Sequence, residues 1–124
     1  MLYENPPMLF RLMRTIYREY HEYVIVLDTK ADINDWELIK STYANITNVR
    51  MISRRVCYST PSMVLIEIEA ARMLLERNID YVTSLSNRDY PVRPLSDLEK
   101  FLTLKQGWSF MNVLDIPEAH FQNR

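Results

Sequence analysis

The stretch YVIVLDTKAD, residues 23–32, is the part of the sequence that says most about the fold. Its apolar residues follow one another from Val24 to Leu27 without a polar break, which is typical of a β-strand that is covered on both faces. The apolar run ends at Asp28, and Lys30 follows two positions later. The stretch therefore predicts a buried parallel strand with polar residues at its carboxyl end.

Helical segments flank this strand on both sides. Residues 7–20 carry apolar side chains at helical spacing, and a proline is accepted in a first helical turn. These apolar positions are Leu9, Leu12, Met13, Ile16, Tyr17 and Tyr20. Beyond the strand, residues 33–46 place Trp36, Ile39 and Tyr43 on one face of a second helix.

The middle of the chain predicts one more strand and one more helix. Residues 48–53 form a short apolar segment that fits a second strand. Thr60 and Pro61 then supply a helix cap and a first-turn proline. The inner face of this third helix is expected to hold Val64, Ile68, Ala71 and Leu75.

The last third of the chain continues the alternation. Residues 80–86 predict a third strand and residues 109–114 a fourth. Between them, Ser96 and Glu99 stand in capping-box spacing at the start of a fourth helix. The whole pattern argues for one α/β sandwich with a mostly parallel sheet and helices on both faces.

Polar residues cluster where the predicted strands end. In open α/β sheets, ligands lie beyond the carboxyl ends of the strands. Those ends hold Asp28, the segment 54–62 and the segment 87–90. A binding site is therefore expected among these three places.

Composition excludes several classes of site and partner. The chain of 124 residues fits one domain, and its net charge of -1 gives no reason to expect nucleic acid as a partner. Cys57 is the single cysteine, so no internal disulfide can form. One glycine cannot build a glycine-rich phosphate loop. His21 and His120 lack metal-ligand spacing, and no serine triad is evident.

Two features bear on the cellular compartment. No stretch is long and apolar enough to span a bilayer, and the N-terminus lacks the basic-then-apolar order of a signal peptide. Asn45, Ile46 and Thr47 fit a glycosylation acceptor, which has meaning only if the chain enters the secretory pathway.

Five segments taken in order resemble a known family of inverting glycosyltransferases. They are ENPPMLFRLMRTIY, YVIVLDTKAD, NVRMISRRVCYSTPSMV, DYVTSLSNRDYPVRPLSDLEKFL and GWSF. The family contains the mucin-branching β-1,6-N-acetylglucosaminyltransferases and the peptide O-xylosyltransferases. The most specific elements are the aspartate-then-basic pair of residues 28–30 and the block LSNRDYPVRP. Tyr90, together with Arg54 and Arg55, makes the sequence more similar to the xylosyltransferase branch.

The resemblance implies a GT-A type nucleotide-sugar fold, present here as a partial domain. It also implies transfer of xylose or N-acetylglucosamine from a UDP donor to a protein or glycan hydroxyl, with inversion and without a bound divalent cation. Members are typically anchored in the Golgi membrane by an N-terminal segment. Any membrane contact of this protein is therefore expected to depend on an anchor outside these 124 residues.

The resemblance further implies a set of donor-binding residues. Asp28 matches the acid that holds the uridine end of the donor. Tyr58 matches an aromatic position, often tryptophan, that lines the nucleotide site. Asp89 lies where the family's aspartate faces the donor sugar or its surroundings. The neighbouring residues of the predicted donor site are Thr29, Lys30, Val56 and Cys57.

Each of these residues also has a structural alternative. Asp28 could cap the turn after its strand, and Asp89 could stabilise a solvated turn, because aspartate favours both places. Tyr58 could cover the core from a loop while its hydroxyl stays in water. Of Arg54 and Arg55, at most one could face a diphosphate, because adjacent strand residues point to opposite faces.

The sequence departs from the family pattern in ways that affect the predicted function. Pro61 stands where the family has small residues, and Thr83 or Ser84 replaces the asparagine that opens the family motif. The family's first strand would be reduced to Leu2 and Tyr3. In the family, the general base and the basic pair that neutralises the diphosphate come from the later half of the catalytic domain, and neither can be assigned here.

We therefore expect residues 1–124 to form the donor-binding half of a glycosyltransferase domain with weak or no activity. The alternative from another class is a non-enzymatic α/β interaction module that has lost the donor site. An unrelated flavodoxin-like domain is disfavoured, because the loops after the strands lack a phosphate nest of serine, threonine and glycine.

Overall fold

The structure is a computed structural model that describes residues 6–57, 59–86 and 88–110. Four helices and two strands occur in this part of the chain. In order they are α1 (Pro6–Ile16), β1 (Tyr23–Asp28), α2 (Ile33–Tyr43), β2 (Val49–Arg54), α3 (Pro61–Leu75) and α4 (Leu95–Leu104).

The two strands form a parallel pair. Tyr23 lies opposite Val49, and the register continues to Asp28 opposite Arg54. Since α2 connects the strands, the unit is a βαβ crossover, which parallel neighbours require. Both strands therefore end at the same edge of the sheet, as the sequence predicted.

Helices cover both faces of this sheet. On one face, Ile25 and Leu27 of β1 pack with α1 and α2 through Leu9, Met13, Ile39, Tyr43 and the strand residue Val49. On the other face, Val26 packs with Val56 and with Ile66 of α3. Because successive strand residues point to opposite faces, an unbroken apolar run is what such a two-sided strand needs. The predicted burial of β1 is confirmed.

A buried asparagine fixes the end of α1 to the start of β2. The Asn48 amide nitrogen donates to the carbonyl oxygens of Arg18 at 3.0 Å, Glu19 at 3.3 Å and His21 at 2.7 Å. Its Oδ1 accepts a hydrogen bond from the Tyr17 hydroxyl at 3.1 Å. This one side chain therefore satisfies the carbonyls of the turn that leads from α1 into β1.

Two predicted helix faces differ from the observed ones. The first helix ends at Ile16, so Tyr20 lies beyond it and is 72% exposed. In α3, Ile66 is buried with Met63 and Ala70 beside it, whereas the predicted inner residues Val64, Ile68 and Leu75 are exposed. The α3 prediction was wrong because this helix is apolar around most of its circumference, so spacing alone does not select the face that meets the sheet.

Residues 81–86 are not a strand, contrary to the prediction. None of them makes a ladder hydrogen bond within the described part of the chain. Instead, the Tyr81 hydroxyl donates to the Lys105 carbonyl, and the Ser84 hydroxyl donates to Glu67 of α3 at 3.1 Å. A strand requires a hydrogen-bonded neighbour, and these contacts supply none. Residues 108–110 are likewise irregular, and Leu2, Tyr3 and positions 111–114 lie outside the described residues.

Of the two predicted helix caps, one lies at the expected position without making the expected hydrogen bond, and the other is wrong. Thr60 precedes α3, yet its hydroxyl donates to the Cys57 carbonyl at 2.8 Å rather than accepting a bond from the helix. The predicted capping box of Ser96 and Glu99 is wrong, because α4 begins at Leu95 and both residues lie inside it. Across the described ranges, no helix has the length and apolar character needed to cross a membrane.

Candidate functional site

Asp28 lies at the centre of the carboxyl edge of the sheet. It ends β1 opposite Arg54, and only 1% of it is exposed. Its Oδ1 accepts hydrogen bonds from the backbone N–H groups of Lys30 at 3.0 Å and Val56 at 3.4 Å. The bond from Lys30 caps the turn after β1, as the structural alternative has it, and the bond from Val56 joins this turn to the loop after β2.

The second carboxylate oxygen of Asp28 has unused acceptor capacity. Oδ2 is buried and has no hydrogen-bond partner within the described residues. The Lys30 ammonium faces it at 3.5 Å and donates to the Val56 carbonyl at 2.7 Å. The Lys30 side chain, about half exposed, therefore lies between Asp28 and the second loop. A buried oxygen that accepts no hydrogen bond is unfavourable, so this position is suited to a ligand N–H or O–H group.

The loop after β2 is held by hydroxyl side chains. The Cys57 N–H donates to the Ser62 hydroxyl at 3.2 Å, and the Thr60 and Ser62 hydroxyls lie 2.7 Å apart. Ser59 has a φ of 56°, in the left-handed region where glycine is the favoured residue. Tyr58, the predicted aromatic contact to uracil, lies outside the described residues. Pro61 opens α3 as expected.

The predicted donor-binding residues fall into two groups in the structure. Asp28, Lys30 and Val56 are in direct contact at the sheet edge, and Cys57 and Thr29 adjoin them. The Thr29 N–H donates to the Arg54 carbonyl at 3.1 Å, which continues the strand pairing. Asp89 makes no hydrogen bond or ion pair to these residues within the described ranges. The structure therefore brings Asp28, Lys30 and Val56 together at one edge.

Asp89 stabilises a solvent-exposed turn. Its Oδ2 accepts the Ser86 N–H at 2.6 Å, and the Ser86 hydroxyl accepts the Arg88 N–H at 3.2 Å. The Ser86 hydrogen bond lowers the pKa of Asp89. Position 87 lies outside the described residues. Asp89 thus stabilises its own turn, and its role toward the donor sugar stays a prediction.

The arginines after β2 differ in their partners. Arg54 forms a two-pronged ion pair with Glu69 of α3, with Nε and Oε2 2.9 Å apart. This hydrogen bonding lowers the pKa of Glu69. Arg55 is exposed and makes no ion pair to a described residue. If one of the two arginines faces a diphosphate, we expect it to be Arg55, because Arg54 is already paired with Glu69.

Sequence reasoning missed a cleft between α1 and the turn that contains Asp89. The Tyr90 hydroxyl lies 2.6 Å from the Thr15 hydroxyl and joins this turn to the helix. The cleft has a volume of about 430 Å³. Its lining residues are Pro7, Phe10, Arg11, Arg14, Thr15 and Tyr90. The two arginines one helical turn apart could have indicated it, since residues three apart share a helix face.

The buried carboxylate lies at the carboxyl edge of a parallel βαβ unit, which is the edge where open α/β sheets place their ligands. The chain belongs to the Core-2/I-branching enzyme family, whose family model matches residues 1–124. The mixed α/β fold, with a parallel sheet between helices, is that of part of a GT-A-like domain.

Curated relatives support the same family. The chain is 26% identical over 113 residues to xylosyltransferase sqv-6 of Caenorhabditis elegans, covering 86% of this chain and 14% of that protein. It is 28% identical over 115 residues to xylosyltransferase sqv-6 of Caenorhabditis briggsae, with the same coverage of 86% and 14%. It is 28% identical over 105 residues to xylosyltransferase oxt of Drosophila melanogaster, covering 82% of this chain and 12% of that protein.

The chain thus spans no more than 14% of the length of these curated relatives. No solved structure gives a significant match. The xylosyltransferase names agree with the branch that Tyr90, Arg54 and Arg55 favoured in the sequence.

Proposed function

We propose that this chain is the UDP-sugar-binding part of an inverting glycosyltransferase. Its donor is UDP-xylose in the first place and UDP-N-acetylglucosamine in the second, because the relatives above carry xylosyltransferase names. The acceptor is a hydroxyl of a protein or glycan. The proposal includes action in the Golgi and donor binding without a divalent cation.

One observation carries this proposal: within the described residues, the buried Oδ2 of Asp28 makes an ion pair with Lys30 at 3.5 Å but accepts no hydrogen bond. A uridine offers such donors at the uracil imide and at the ribose hydroxyls. A hydrogen bond to a charged carboxylate contributes about 1.5–3 kcal/mol, more than a neutral pair does. A hydrogen bond from uridine to this oxygen would therefore favour binding at the sheet edge.

Access to Oδ2 depends on Lys30. Its ammonium lies across the space between Asp28 and the Val56 carbonyl, with contacts of 3.5 Å and 2.7 Å. Because the side chain is about half exposed, it can turn outward when a nucleoside enters. Its charge then remains close to the negatively charged diphosphate of the donor, which a lysine binds as a point charge.

Replacing Asp28 by asparagine is expected to weaken UDP binding about tenfold or more, as loss of a charge-assisted hydrogen bond predicts. Asparagine keeps one acceptor oxygen but offers an N–H₂ group where the nucleoside presents a donor. Isothermal titration with UDP in the presence of a chelator measures the affinity. Circular dichroism checks that the variant is folded.

The matched control for this titration is Asp32→Asn. Asp32 lies four residues later, and its Oδ1 caps α2 by accepting the Asn34 N–H at 2.7 Å. Asparagine caps helices equally well, so this variant loses the same charge with little structural change. Equal UDP affinity in the wild type and Asp28→Asn, or no UDP binding by the wild type, would overturn the proposed donor site and favour the interaction module.

A second substitution tests whether Asp89 faces the donor sugar. Asp89→Asn is expected to weaken UDP-xylose binding about threefold to tenfold while leaving UDP binding unchanged, because only the sugar would lose a hydrogen bond to a charged group. Parallel titrations with the two ligands measure this difference. Equal effects on both ligands, or on neither, would assign Asp89 to the turn alone.

A further inference from the structure

The sequence contains one Asn-x-Ser/Thr triplet, formed by Asn45, Ile46 and Thr47. In the structure this triplet occupies the turn between α2 and β2. Asn45 and Thr47 are exposed, whereas Ile46 is half-buried against the core. The triplet therefore presents its amide and hydroxyl to solvent from a turn with a fixed position.

Neither functional side chain of the triplet is needed by the fold. Within the described part of the chain, the Asn45 amide and the Thr47 hydroxyl make no hydrogen bond. The turn is held by the backbone, through Ile46 N–H to the Tyr43 carbonyl and Val49 N–H to the Ile46 carbonyl, both at 3.1 Å. A bulky group on Asn45 can thus extend into solvent without breaking a contact.

We infer that Asn45 is an N-glycosylation site of this protein. The inference rests on the proposed function to the extent that a Golgi enzyme passes through the secretory pathway. The co-reactant is an oligosaccharide carried on a polyprenyl diphosphate. A bond forms between Asn45 Nδ2 and the anomeric carbon, and the bond from that carbon to the diphosphate oxygen breaks. The polyprenyl diphosphate departs, and the amide loses one proton to a base of the host transferase.

The glycan would lie at the edge of the sheet opposite the candidate donor site. Asn45 precedes Val49, the first residue of β2, whereas Asp28 and Arg54 end the two strands. At about 3.3 Å per residue, a strand of this length separates the edges by about 16 Å. The glycan therefore leaves the carboxyl edge open to UDP.

The experiment expresses the chain behind a secretion leader in cultured eukaryotic cells. We expect a decrease in gel mobility that a peptide-N-glycosidase reverses, with aspartate then found at position 45 by mass spectrometry. Asn45→Gln and Thr47→Ala are expected to abolish the mobility difference. Thr47→Ser is expected to retain it, because serine also supplies the hydroxyl of the acceptor triplet.

The matched control is Asn34→Gln, an exposed asparagine outside any acceptor triplet, which should stay glycosylated like the wild type. Chain retained in the endoplasmic reticulum is scored together with secreted chain, because the glycan is attached there. An unmodified wild-type chain in both fractions, or a glycan that persists in Asn45→Gln, would overturn the inference.

This result is separable from the donor site. UDP titration uses unglycosylated chain made in bacteria, so loss of UDP binding and loss of the glycan are independent outcomes. Glycosylated and deglycosylated chains are expected to bind UDP with the same affinity, within about twofold, since the two edges are well separated.

Discussion

The 124-residue chain is expected to transfer xylose from UDP-xylose more slowly than a full-length xylosyltransferase relative, by a factor of about 10²–10⁴ or more. This factor is what the loss of a general base costs. Inverting transfer also needs positive charge on the departing UDP, and such electrostatic stabilisation is usually the larger contribution. The resemblance assigns the base and the basic pair to the later half of the catalytic domain, so we expect residues 1–124 to supply neither. Donor binding and transfer should therefore be separable in this protein.

Release of UDP in the presence of an acceptor peptide measures the transfer rate. The positive control is full-length sqv-6 of Caenorhabditis elegans in the same assay, and hydrolysis without acceptor gives the background. Saturating donor is used, so that weak binding does not appear as slow chemistry. A rate within tenfold of the control enzyme would show that the chain contains its own base and leaving-group charge.

If transfer is slow while UDP binds, the structure offers a simple account. The carboxyl edge holds Asp28, Lys30 and the loop at Val56 in contact, and these are the residues that we propose to bind the nucleotide. Of the two predicted donor-site carboxylates, Asp28 is buried and Asp89 accepts a hydrogen bond from Ser86, so neither is placed to act on an acceptor hydroxyl. Binding without chemistry is the expected behaviour of such an edge.

The sequence predicted the central βαβ unit well, and the physical reason is specific. The apolar run from Val24 to Leu27 is buried only if helices cover both faces of the strand. The inward-facing residues of α2 recur at helical spacing. Local pattern and tertiary burial thus give the same answer in this segment. The end of the strand at Asp28 follows from the same pattern.

For residues 81–86 and for α3, the local sequence pattern is insufficient to predict the structure. The segment 81–86 is rich in residues that favour strands, but a strand exists only through pairing with another segment, and sequence spacing does not reveal whether that partner is present. In α3, apolar residues on several faces leave the choice of buried face to the neighbouring layer. Both errors concern contacts distant in sequence.

The candidate site was predicted only in part, because some of its contacts also join residues distant in sequence. The position of Asp28 after a buried strand could be read from the sequence, as could its proximity to the loop after β2. The bridge from Lys30 to the Val56 carbonyl could not, because it depends on a side chain reaching 26 residues ahead. Likewise, the sequence does not reveal that Asn48 is buried while Asn45, three residues earlier, is exposed.

Replacing Asn48 by alanine is expected to lower the free energy of unfolding by about 2–4 kcal/mol. The variant loses hydrogen bonds to three carbonyl groups and to the Tyr17 hydroxyl, and a buried polar group left without a partner costs about 1–3 kcal/mol. Urea unfolding followed by circular dichroism gives the free energy and its slope. An unchanged slope would show that the loss belongs to the folded state.

The matched control for Asn48→Ala is Asn45→Ala, three residues earlier in the same turn. Because Asn45 is exposed, this change should stay within about 0.5 kcal/mol. Asn48→Asp gives a second test, since a carboxylate facing three carbonyls would have its pKa raised by folding. Its stability should therefore be highest below the unfolded-state pKa and fall as pH rises from there through the higher folded-state pKa. A loss in Asn48→Ala no larger than that in Asn45→Ala would show that the turn between α1 and β1 is held without this side chain.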